Sequence, residues 1–115
     1  MASLRGTDGP DSISGTNWED EIFGLGGNDV LAGHGGNDVV YGDDGDDKLS
    51  GGYGEDFIRG ARGNDLIHGD DQHDTLEGDQ GDDVIYGGGD GDGITGQVGS
   101  DQLHGGDGED YVGGG

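Results

Sequence analysis

An aspartate recurs every nine residues from Asp11 to Asp110, twelve times without a break. Two residues after each stands an aliphatic: Ile13, Ile22, Leu31, Val40, Leu49, Ile58, Ile67, Leu76, Ile85, Ile94, Leu103 and Val112. Five residues before each stands a glycine, from Gly6 to Gly105. The unit reads G-x-x-G-x-D-x-U-x, with U aliphatic, and twelve copies fill residues 6–113. A register this long makes the chain one repeat array, and the repeated unit must carry the function.

The period dictates an all-β architecture. The first six residues of each unit are glycine-rich and read as a turn. The triplet x-U-x alternates like a strand, one side chain inward and two outward. A three-residue strand cannot satisfy its own backbone, but parallel stacking of copies can. Two units then make an eighteen-residue coil of strand, turn, strand and turn. Odd units form one sheet and even units the other, a parallel β-roll (β-solenoid) of about six coils. At roughly 4.8 Å per coil this predicts a rod about 29 Å long. Residues 1–5 read as a lead-in whose Leu4 occupies the aliphatic position of a partial repeat, residues 6–113 as the roll, and residues 114–115 as the truncated start of a further repeat. Neither end carries a distinct polar cap, so the chain reads as an excised module.

Composition narrows the function. Only 26% of residues are hydrophobic and 32 of 115 are glycine, a composition typical of disorder. Aliphatic burial of two side chains per coil is too little to order so much glycine-rich backbone. The formal charge of −23 opposes compaction unless cations neutralise it. It also excludes nucleic acid and anionic membrane as partners, which need a basic surface. No apolar run is long enough to insert into a membrane. With no cysteine, disulfides do not staple the fold.

The aspartates supply what is missing. Coil stacking places Asp11, Asp29, Asp47, Asp65, Asp83 and Asp101 in one column and Asp20, Asp38, Asp56, Asp74, Asp92 and Asp110 in the other. Carboxylates stacked about 5 Å apart repel unless a cation lies between them. Calcium takes six to eight oxygens in flexible geometry, here carboxylates together with backbone carbonyls of turn residues such as Gly9, Gly27, Gly36, Gly45, Gly54, Gly63, Gly81, Gly99 and Gly108. Magnesium suits this donor set less well, because it holds its waters and demands an octahedron. Six turns on each edge enclose five gaps, so up to about ten Ca2+ ions bring +20 against −23.

The units Gly51–Arg59 (G-G-Y-G-E-D-F-I-R) and Gly105–Gly113 (G-G-D-G-E-D-Y-V-G) resemble the RTX calcium-binding nonapeptide G-G-x-G-x-D-x-U-x, and the resemblance extends over residues 6–113. It implies a parallel β-roll with calcium between successive turns on each edge. It further implies a secreted bacterial protein, exported unfolded by type I secretion and folding outside the cell. The family's export signal lies C-terminal to the repeats, and this chain stops too early to contain one. Its N-terminal residues lack the apolar stretch of a secretory signal. The family's hosts include toxins, proteases, lipases, epimerases and adhesins, so the repeat does not name a host activity.

The exceptions are informative. The fourth position is glycine in nine units and Trp18, Gln72 and Asp90 in the others, all on the even edge. Side chains resist positive φ, so the even edge is expected to bind calcium more weakly than the odd edge. Outward positions place Phe23 and Tyr41 in a column beside Val39 and Phe57, and His68, Tyr86 and His104 in another. These read as cross-strand packing or as a docking surface for a missing host domain. His34, His68, His73 and His104 do not converge as a zinc site, and no catalytic motif such as H-E-x-x-H or G-x-S-x-G is present. The chain therefore reads as a calcium-binding module and not as an enzyme. The alternatives are a structural, adhesive or end-to-end self-associating spacer, or the C-terminal part of an exported enzyme.

Overall fold

Stacking is the only way these short strands can complete their hydrogen bonding, and it produces the whole architecture. The computed structural model describes residues 2–114. Met1 of the expected lead-in and Gly115 of the expected further repeat lie outside the described residues. The described residues contain thirteen strands and no helix. One sheet holds β1 (Ala2–Arg5), β3 (Asp20–Phe23), β5 (Val39–Asp44), β7 (Phe57–Arg62), β9 (Thr75–Gln80), β11 (Gly93–Val98) and β13 (Tyr111–Gly113), in that order. The other holds β2 (Ser12–Ser14), β4 (Val30–His34), β6 (Lys48–Gly52), β8 (Leu66–Asp70), β10 (Val84–Gly88) and β12 (Gln102–Gly106). Every pairing is parallel with an eighteen-residue offset, as in Ile22↔Val40↔Ile58 and Leu31↔Leu49↔Ile67. The molecule is a β-solenoid of about six coils. Leu4 pairs with Ile22, so the partial first repeat forms a strand.

The eighth position of each unit makes the core. Nine of these side chains, from Ile22 to Ile94, are at most 1% exposed. Leu4, Ile13 and Leu103 are only partly buried, and Val112 is 47% exposed. Burial of all twelve repeat aliphatics is thus corrected for the outermost strands, which have a neighbour on one side only. All strands but β2 and β13 are also longer than three residues. In β5, β7, β9 and β11 the ladder runs on through the first three turn positions, pairing Asp43↔Ala61↔Asp79↔Gln97. The turn proper is correspondingly shorter than six residues. The extents are 35 × 30 × 14 Å, so the expected rod is a flattened slab two sheets thick.

Outward side chains stack across strands. Phe23 and Tyr41 lie parallel at 5.3 Å, Phe57 meets Tyr41 edge-on at 6.0 Å, and Arg5 caps Phe23. On the other sheet Tyr86 stacks between His68 and His104 at 4.9 and 4.8 Å. Arg59 pairs with Asp79 across neighbouring strands.

Candidate metal centre

The sixth position of each unit turns its aspartate inward at the edge of the slab. From Asp20 to Asp92 all nine column aspartates are at most 3% exposed. One oxygen of each carboxylate is engaged. The backbone N–H of Asp11 donates to Oδ1 of Asp29 at 2.8 Å, Asp29 to Asp47, Asp47 to Asp65, Asp65 to Asp83 and Asp83 to Asp101. On the even edge Asp20 donates to Asp38 in the same way, and the ladder continues through Asp56, Asp74 and Asp92 to Asp110. The other oxygen is not engaged. Oδ2 of Asp29, Asp38, Asp47, Asp56, Asp65, Asp74, Asp83, Asp92 and Asp101 is buried without a hydrogen-bond partner.

That Oδ2 explains the leading glycine. A Cβ added at Gly33 would fall inside 3 Å of Asp38 Oδ2 and of the Gly51 carbonyl in the next coil. All twelve first-position glycines meet their own unit's Oδ2 this way. The fourth-position carbonyls are a second set of free oxygens. Those of Gly27, Gly36, Gly45, Gly54, Gly63, Gly81, Gly99 and Gly108 accept no hydrogen bond among the described residues. Buried, unpaired carboxylate oxygens beside unpaired backbone carbonyls at the coil edge are a donor set for a hard cation. No three acidic or histidine side chains converge among the described residues, so an ion here must draw on backbone oxygens as well as on the columns.

Burial moves the column carboxyls far from their ordinary range. Desolvation raises Asp38 and Asp83 to about 6, Asp47 and Asp56 to about 7, and Asp65 and Asp74 to about 8. In each the hydrogen bond to Oδ1 works against the shift, and the neighbouring carboxylates of the column add to it. Asp29 and Asp92 are raised for the same reason. Asp20 goes the other way: burial raises it, but donors from Thr16 and Ala2 outweigh that and leave it lowered.

Turn geometry divides the array differently from the fourth-position glycines. In the ten units from Gly24 onward both the second and the fourth residues have positive φ. Gln72 (φ 75°) and Asp90 (φ 65°) adopt it despite their side chains, so these two turns keep the common shape. The second position does so with Leu25, His34, Asp43, Ala61, Asp70, Asp79 and Gln97, which glycine content did not signal. The first two turns depart together. Neither Thr7 and Gly9 nor Thr16 and Trp18 have positive φ. There Thr7 N–H donates to Asp11 Oδ2 at 2.6 Å and Thr16 N–H to Asp20 Oδ2 at 2.6 Å, with both threonine hydroxyls on the same carboxylates. Trp18 is therefore not a lone disruption of the even edge, since Gly9 on the odd edge behaves alike.

A second ladder escaped the nine-residue reading. At the fifth position the Asn28 side chain accepts from Asp46 N–H, Asp46 from Asn64, Asn64 from Asp82, and Asp82 from Ser100, all at 2.8–2.9 Å. The even edge has only fragments, Asn37 accepting from Glu55 and His73 from Gly91. The eighteen-residue recurrence of Asn or Asp was the available signal.

A family model described as the RTX calcium-binding nonapeptide repeat (4 copies) matches residues 19–49, 41–76, 50–85, 68–103 and 86–115. That model describes a calcium-binding repeat and not a catalytic domain. No curated protein matches the chain.

Two outcomes follow from this geometry. Gly63 has φ 115° and no room for a Cβ against the Gly45 carbonyl, whereas a Cβ at Gly9 would make only an ordinary contact with the Thr7 hydroxyl. Gly63→Ala should destabilise the calcium-loaded roll by more than about 1–2 kcal/mol, and Gly9→Ala by less than about 0.5 kcal/mol, measured by denaturant unfolding. The raised carboxyls bind more protons in the roll than in the open chain, so protonation stabilises the roll. That contribution is complete below 3.8 and is lost as pH rises through about 6 to 8. With calcium chelated, circular dichroism should show β structure appearing on acidification; a chelated chain more ordered above pH 8 than near pH 4 would contradict it.

Proposed function

The chain belongs to the RTX calcium-binding nonapeptide repeat family, and from that premise we propose that it is a module whose folding is switched by calcium outside the cell. The observation that carries this reading is the row of buried carboxylate oxygens without partners along both edges. A bound calcium ion supplies the positive charge that lets neighbouring column carboxylates remain ionised in the slab. Oδ2 of the aspartates and the fourth-position carbonyls would hold it, and the Oδ1 ladder keeps each carboxylate aimed into its gap. Six turns per edge offer five gaps, up to about ten ions in all.

Without calcium, column repulsion, desolvation and the positive-φ side chains all favour the expanded acidic coil. Ion binding and folding are then one equilibrium. RTX repeats are typical of secreted bacterial proteins. Extracellular calcium modules bind at roughly 10⁻⁴–10⁻³ M, which suits a chain kept open inside the cell and closed outside. The odd edge should bind more tightly, because its fifth-position ladder is continuous and its fourth position is always glycine.

Circular dichroism above pH 8 tests the switch. The chelated chain should lack a β spectrum and gain one cooperatively as calcium is added; a β spectrum indifferent to chelator would sink the reading. In the same titration Gln72→Gly combined with Asp90→Gly should lower the calcium midpoint by relieving two left-handed side chains. An unmoved midpoint would count against the difference between edges.

A further inference from the structure

We propose that the first coil is closed by threonine in place of ions: the turns Gly6–Asp11 and Gly15–Asp20 take no cation, and the calcium columns begin one coil later. This rests on the calcium reading above and refines where it applies. Removing the first gap on each edge leaves four of five, so the roll would hold eight ions and not ten.

Free oxygens distinguish the two kinds of turn. In nine later turns the aspartate Oδ2 is buried and unpaired. In the first two it already accepts a backbone N–H at 2.6 Å, from Thr7 or Thr16. The threonine hydroxyl lies 3.1 Å from both Asp11 oxygens, and 3.1 and 3.0 Å from the Asp20 oxygens. A hydroxyl has one proton to give, and the carboxylate is its nearer acceptor. The same hydroxyl accepts Gly9 N–H at 3.2 Å or Trp18 N–H at 3.1 Å. It also stands 3.5 Å from the Gly9 carbonyl or 3.4 Å from the Trp18 carbonyl, in front of the oxygen that is unobstructed in later coils. Each threonine thus satisfies the turn with its own groups and leaves the aspartate no unpaired oxygen.

The backbone agrees. Positive φ at the second position is common to all ten later turns and absent from these two. Threonine is β-branched and resists that conformation. It occupies the second position only at Thr7 and Thr16, and no later unit carries a β-branched residue there. The sequence therefore encodes two turn types, an ion-free one used once on each edge and an open one used ten times. Trp18 fits this division, because the ion-free turn does not need glycine at the fourth position.

The test is a count of bound calcium on the full chain at saturation, by native mass spectrometry. The wild type should bind eight. Asp11→Asn combined with Asp20→Asn should leave the count at eight, while Asp29→Asn combined with Asp38→Asn should lower it. Thr7→Gly combined with Thr16→Gly should open the first gaps and raise the count to ten. A wild-type count of ten, or an Asp11/Asp20 pair that loses as many ions as the Asp29/Asp38 pair, would overturn the inference while leaving the calcium switch intact. A wild-type count of zero would instead remove the calcium reading itself. If the threonine variant fails to fold, the two aspartate pairs still decide.

Discussion

The fold depends on the backbone N–H of one aspartate donating to the carboxylate of the aspartate one coil on. The bond repeats at 2.8–3.0 Å along both edges, and it can form only if the carboxylate is drawn in from solvent. From Asp29 to Asp101 that burial commits the other oxygen to a site where the protein offers it no donor. The leading glycine follows, because Oδ2 occupies the space a side chain would fill. The invariant glycine and the invariant aspartate are thus one constraint, and so is the need for a cation. A carboxylate both desolvated and stacked on its neighbours stays ionised only with positive charge beside it.

What the chain becomes was legible where the signal is periodic. The aliphatic position predicted the core from Ile22 to Ile94, and the eighteen-residue coil predicted the register of both sheets. It was not legible where backbone conformation is imposed by neighbours. Leu25, His34 and Ala61 carry nothing that announces positive φ, yet they adopt it in turns bonded through the backbone to neighbouring coils. Reading glycine as the mark of that conformation therefore found the fourth position and missed the second. It also singled out Gln72 and Asp90 as breaks, although the stacked turns simply override their preference. The fifth-position ladder was lost for another reason. Its partners recur every eighteen residues, and a nine-residue consensus averages Asn28 and Asp46 with Glu19 and Asn37 from the opposite edge.

These departures share a physical logic. A solenoid repeat interacts only with its neighbours, so each turn must be satisfied by its own atoms, by the adjacent turns or by something bound between them. Nine non-glycine residues stand in the left-handed region. At roughly 1 kcal/mol or more each they set the open turn above relaxed backbone. Such a turn is imposed from outside, by the backbone bonds to the coils above and below. The threonine turn is the opposite solution, made of its own N–H and hydroxyl and needing no left-handed residue. A chain that used it throughout would have no reason to wait for calcium. A chain without it would have no turn able to close before the ions arrive. Under the proposed calcium switch, one threonine turn on each edge, followed by five open ones, would leave the switch to the ions while giving the first open coil a formed neighbour to stack upon.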